Sequence, residues 1–116
     1  MCIPVRILAG VLLAVRSVFP AAAQDTITTE QFLRLCQSDG DWCKEHIISL
    51  VSADVASNVI HPDQAQSCPP KDVQAKADAV TGDVVNWLRD HLDVRPKDNA
   101  GGIEAALKVL YPCKKP

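Results

Sequence analysis

The sequence predicts an all-α protein, a small four-helix antiparallel bundle stapled by two disulfides. Apolar residues recur at intervals of three and four in four separate segments, and nowhere does a sustained period-two alternation argue for a strand. Four cysteines, Cys36, Cys43, Cys68 and Cys113, each fall at an expected helix end, where covalent links can reinforce a core of modest size.

Thr28 is the expected cap of the first helix, with Gln31 three residues on to complete a capping box, and Phe32, Leu33 and Leu35 lead to Cys36. Ser38, Asp39 and Gly40 end it. Asp41 is the expected cap of the second helix, whose Ile47, Ile48, Val51, Val55 and Val59 form one stripe until His61 and Pro62 stop it. The third helix is expected to follow Cys68, Pro69 and Pro70 directly, with Asp72 in its first turn. Its stripe is Val73, Ala77, Val80, Val84, Leu88 and Leu92. Gly82 lies inside it and costs ~1 kcal/mol relative to Ala unless it permits a close helix crossing. The fourth helix begins after Asp98 and Asn99, sets Ile103, Ala106, Leu107 and Leu110 on one face, and ends at Pro112.

Ahead of these helices the chain has the three parts of a secretory signal. Residues 1–6 carry one positive charge, an apolar stretch runs through residues 7–15, and Ala21, Ala22 and Ala23 precede Gln24. Cleavage after Ala23 divides the chain into a signal peptide, residues 1–23, and one helical domain, residues 24–116. Arg16 leaves the apolar stretch short of the roughly 20 residues a membrane span needs, so no stable membrane insertion is expected after cleavage. Cys2 precedes the stretch, whereas a lipoprotein cysteine would follow it, so Cys2 is discarded with the signal. Removing Arg6 and Arg16 from the 12 basic residues leaves 10 against 14 acidic ones, a net charge of −4. Without a basic stripe, nucleic acid is excluded as the expected partner.

Four cysteines allow three pairings. A disulfide requires α-carbons within about 7 Å, whereas an 18-residue second helix spans on the order of 25 Å. Joining Cys43 to Cys68 would therefore need the intervening loop almost fully extended, since eight residues reach about 26 Å. Short connections make successive helices antiparallel, which sets Cys36 with Cys43 at one pole and Cys68 with Cys113 at the other. The rival pairing, Cys36 with Cys113 and Cys43 with Cys68, requires different helix lengths or directions.

Zinc is not expected, because no pair has the C-x2-C or H-x3-H spacing that lets one turn grip a tetrahedral ion. Oxidising export favours disulfides over free thiols as well. No nucleophile motif occurs, and cysteines in disulfides cannot attack a substrate. Glu45 with His46, and Asp90 with His91, are read as packing or helix-end groups; His91 also complements the helix dipole. Gly101 and Gly102 lack the remainder of a phosphate loop. No enzyme, cofactor or metal site is expected.

The order of "LRLC", "CKEHIISLVSAD", "CPPKDVQAKADAVTGDVVNWLRDHL" and "AALKVLYPC" resembles the Rap1a/Tai family of immunity proteins, with Cys43, Ile47, Cys68, Pro70, Leu88, His91, Ala106, Leu107, Tyr111, Pro112 and Cys113 in register. Glu45, His46 and Ser49 stand where the family has Gly, Tyr and Gly, and Leu92 replaces the Pro after His91. The resemblance implies a periplasmic inhibitor of a secreted type VI effector, often a peptidoglycan amidase, acting commonly as a dimer by inserting an inter-helix loop into the enzyme's cleft. The corresponding loop here contains Asp93, Arg95, Pro96, Lys97, Asp98 and Asn99, and the second exposed connection contains His61, Asp63 and Gln64. Size, helicity and disulfides also fit another class, the acid-stress periplasmic chaperones resembling HdeA, or a different periplasmic binding role.

Overall fold

The computed structural model describes residues 27–114 as four α-helices: α1 Thr29–Ser38, α2 Gly40–Ile60, α3 Ala77–Asp90 and α4 Asn99–Leu110, with a single 3-10 turn at Pro62–Gln64. The expected export signal and Cys2 lie outside the described residues. Among the described residues no helix is long and apolar enough to cross a membrane.

Thr28 caps α1 as expected: its hydroxyl accepts from the Gln31 amide at 3.0 Å, and Gln31 Oε1 accepts from the Thr28 amide at 2.9 Å. Asp39 then does two jobs. Its amide closes the last turn of α1 on Leu35 O at 2.8 Å, and its carboxylate caps α2 by accepting from the Trp42 amide at 3.0 Å. The cap of α2 is therefore Asp39 rather than Asp41, because a capping side chain reaches the amide three residues on. The link between α1 and α2 is this single residue.

The third helix starts later than the sequence suggests. Residues 71–76 form tight turns in which Asp72 O accepts from the Ala75 amide at 3.0 Å and the Lys76 amide at 3.2 Å, and α3 follows without a capping side chain. Val73 still reaches the core from these turns. The return from α2 to α3 brings the starts of these two helices together, where Lys44 Nζ meets Asp78 Oδ1 at 3.1 Å. That pair is exposed on both sides and adds little stability. Helices α2 and α3 thus depart from the antiparallel neighbours that a short connection suggests: the return segment, residues 61–76, is long enough to run back along α2.

The core joins all four helices. Phe32 from α1, Ile47 and Val51 from α2, Val80, Val84 and Leu88 from α3, and Ile103, Ala106 and Leu107 from α4 are essentially inaccessible to solvent. Two residues of the expected second and third stripes are exposed. Val59 is 67% exposed, burial having faded along α2 from Val51 through half-buried Val55, and Leu92 is 64% exposed because α3 ends at Asp90. A Cβ at Gly82 would meet nothing within 4 Å, so this glycine is tolerated rather than required for a crossing.

Cys36 is bonded to Cys43 and Cys68 to Cys113, with α-carbons 4.8 Å and 4.9 Å apart. The first staples the elbow between α1 and α2; the second ties the return segment to the chain after α4. Separations of 7 and 45 residues correspond to about 2.4 and 4 kcal/mol in the chain-entropy account. The longer loop is reinforced by the Cys68 amide, which donates to Tyr111 O at 2.7 Å.

A carboxyl pair joins α2 to α4. Burial and, after it, the neighbouring Asp54 carboxylate push Glu104 up to about 7, against a smaller opposing pull from Lys108. Asp54 Oδ2 is buried without a hydrogen-bond partner, and two ionised carboxylates can only accept, so a proton held on Glu104 relieves the repulsion between the two groups. The ordinary carboxyl value of Glu104 is 4.5. Stability from this raised group is fully present below that value and is lost as pH rises through about 7. Thermal unfolding of the wild type should therefore move to lower temperature from pH 5 to pH 8, and Glu104→Gln should flatten that trend. A wild-type trend of opposite sign that Glu104→Gln leaves unchanged would contradict the assignment.

Candidate functional site

The loop after α3 is held from beneath by the start of α1. Thr29 is buried, its amide donates to Lys97 O at 2.6 Å, and its hydroxyl shares one hydrogen between Pro96 O at 2.9 Å and Asp98 O at 3.0 Å. Thr28 and Asp98 form an isolated antiparallel pair. Asp98 also caps α4, its carboxylate accepting from the Gly101 amide at 2.9 Å.

Asn99 completes the clamp. Its backbone amide and its Nδ2 both donate to Ile27 O at 3.1 Å, which leaves Oδ1 to accept from His46 Nε2 at 2.8 Å. The direction of the amide fixes the hydrogen on Nε2 of His46. The imidazole is sandwiched further, stacked on Trp42 with centroids 5.0 Å apart and tilted against Phe32 at 5.2 Å. A buried side chain thus links α4, α2 and the residue ahead of α1.

The glycine pair makes this approach possible. A Cβ on Gly102 would sit 2.8 Å from Thr29 Oγ1 and 3.3 Å from Leu88 Cδ2, and one on Gly101 would sit 2.8 Å from Asp98 Oδ1. Both distances to oxygen are closer than carbon and oxygen tolerate, so the two glycines serve packing at the clamp.

Of the sequence-selected residues, Asn99 is buried, Arg95 and Pro96 are half-buried, and Asp93, Lys97 and Asp98 are exposed. Arg95 is held in place by a bond from Nη1 to Leu88 O at 2.7 Å. Beside the loop lies a shallow groove of about 470 Å³, bounded by Thr28, Glu30, Leu92, Asp93, Pro96 and Lys97 among others. His61, Asp63 and Gln64 are exposed around the 3-10 turn; Pro62 borders a different groove, of about 230 Å³, with Val55, Val59 and Cys68. The two connections thus present separate surfaces.

The polar pairs that could suggest chemistry are engaged structurally. His46 is committed to Asn99, while Glu45 is exposed. His91 stacks on Trp87 with centroids 4.2 Å apart, and its Nδ1 donates to Trp87 O at 2.7 Å. Among the described residues no group of three His, Cys, Asp or Glu side chains could hold a metal ion. Sequence reasoning missed the roles of Thr29 and of the His46–Asn99 pair. A half-buried imidazole signals that a partner is needed, but the partner is 53 residues away and no spacing announces it.

Replacing Asn99 by Ala removes the Nδ2 donor to Ile27 O, while its backbone amide still donates there, and leaves the His46 hydrogen without its acceptor. The expected cost is about 2 kcal/mol by urea unfolding, whereas Ala100→Ser on the exposed neighbour should stay within about 0.5 kcal/mol of wild type. Equal stability of the two variants would show that the clamp contributes nothing.

Comparison with curated proteins and with solved structures gives no match. The family model described as Rap1a immunity proteins matches residues 28–113, which takes in α1 through α4, both disulfides and the clamped loop. The chain belongs to the Rap1a immunity protein family.

Proposed function

We propose that the protein is a periplasmic immunity protein, delivered by a cleavable signal at residues 1–23, which binds and occludes a secreted type VI cell-wall effector such as a peptidoglycan amidase. The observation that carries this reading is the family match across the four-helix domain. Inhibition of this kind needs no chemistry from the inhibitor. It needs a surface that enters or covers the effector's cleft and holds its shape.

Two structural features support the reading. Disulfides between Cys36 and Cys43 and between Cys68 and Cys113 suit an oxidising compartment such as the periplasm. The loop bearing Asp93, Arg95, Pro96 and Lys97 is fixed through Thr29 and Asn99, so little of its freedom remains to be lost on docking. Exposed Asp93 and Lys97 offer both signs of charge to polar groups in a cleft.

The acid-stress chaperone reading requires apolar surface to open at low pH. The Glu104–Asp54 pair acts the other way, since protonating Glu104 strengthens the contact between α2 and α4. The family match across the four helices makes immunity the preferred reading.

In a contact competition that delivers an active cognate effector, cells lacking this gene should fall at least tenfold against siblings that carry it. Complementation with Asp93→Lys/Lys97→Glu should restore less protection than wild type at equal protein level. Deletion without any loss of fitness under active intoxication would refute the reading.

A further inference from the structure

All three arginines of the described residues converge on one groove. Arg34 comes from α1, Arg89 from the last turn of α3 and Arg95 from the loop beyond it, and they surround exposed Leu92 and half-buried Leu33. The groove encloses about 170 Å³ and continues through Glu30, Leu92 and Arg95 into the groove beside the clamped loop. Two stretches far apart in sequence, 30–37 and 89–95, supply one chemistry at one place.

These guanidinium groups are unspent. Among the described residues the ion pairs are Lys44 with Asp78 and Lys76 with Asp72, both away from the groove, so no carboxylate of those residues lies within salt-bridge distance of Arg34, Arg89 or Arg95. Glu30 lines the groove as its single acidic member in this part, and Asp93 borders the adjoining part. Arg95 uses Nη1 to bond Leu88 O, which orients its fork and leaves its other donors free.

We propose that this groove docks an acidic segment of the partner protein, with carboxylates on the arginines and an apolar side chain against Leu33 and Leu92. The proposal deepens the immunity reading and, as regards the partner's identity, rests on it. Arginine forks match carboxylates in bidentate geometry, and arginine is enriched among residues that dominate binding energy at protein interfaces. The chain as a whole is acidic, with a net charge of −2. An extended polyanion such as a membrane surface meets that net repulsion, whereas a short acidic segment responds mainly to charges within a Debye length of about 8 Å. Leu92 also acquires a role here. It is 64% exposed and lines the groove together with Arg34, Arg89 and Arg95.

The test uses a fluorescent 12-residue peptide in which leucines are flanked by glutamates, with a lysine-for-glutamate peptide as control, followed by anisotropy. The acidic peptide should bind wild type, weaken as salt rises, and bind Arg34→Glu/Arg89→Glu at least tenfold more weakly. Lys76→Glu/Lys114→Glu, which makes the same change in net charge elsewhere, should bind within about threefold of wild type. Both arginines are exposed, so thermal unfolding should match wild type. No binding to wild type, equal loss in both double variants, preference for the lysine peptide, or capture by phosphatidylglycerol vesicles in place of the peptide would overturn the proposal. In the contact competition, protection by wild type but not by Arg34→Glu/Arg89→Glu is expected. Equal protection by the two would refute the groove and leave immunity standing, whereas absence of protection by wild type would refute immunity and leave the groove to the peptide measurement.

Discussion

The clamp between Thr29 and residues 96–99 sets the relation between the start of the domain and its last helix. Thr29 gives its amide and hydroxyl to three carbonyls of one loop, and Asn99 answers with two donors to Ile27. Each of these bonds is modest in net terms, but each lies where an unmet carbonyl or amide would be costly. Moving the start of α1 would expose all of them together. That interdependence fixes α1 against α4, fixes the course of the loop, and so fixes where Arg95 and Lys97 stand.

The disulfides act at the other boundaries of the fold. Cys36–Cys43 secures the one-residue elbow at Asp39, and Cys68–Cys113 secures the long return segment, which has little regular structure to hold it. Between these links the core is built from medium-sized aliphatic side chains and Phe32, with His46 placed at its polar edge. The His46 imidazole is accommodated at this junction through Asn99. Hydrogen bonding therefore does at this junction what larger apolar contacts could do elsewhere.

Helix number, the disulfide pairs and most core positions were legible because they depend on local periodicity and on chain reach. Val80, Val84 and Leu88 repeat at helical spacing and are buried. Other features depend on tertiary context that spacing does not encode. The stripe through Val73 and Ala77 suggests one continuous helix, yet the turns over 71–76 bury Val73 just as well. Leu92 continues the same stripe on paper and is exposed in fact, because the helix ends two residues before it. The 93–99 loop was identifiable as a connection, but its rigidity was not: that comes from Thr29 and Ile27, some 70 positions away. The arginine groove was invisible for the same reason, since it joins residues 30–37 to residues 89–95.

The proposed role needs a loop fixed before any partner arrives, and the fixing is done by backbone carbonyls and two buried polar side chains. Amide hydrogen exchange of the free protein tests this most directly. The Thr29 and Asn99 amides should exchange only through global unfolding, with protection close to that of core amides such as Leu88 and Leu107. Exchange of Thr29 and Asn99 at the rate of an open loop, while those core amides stay protected, would contradict the account.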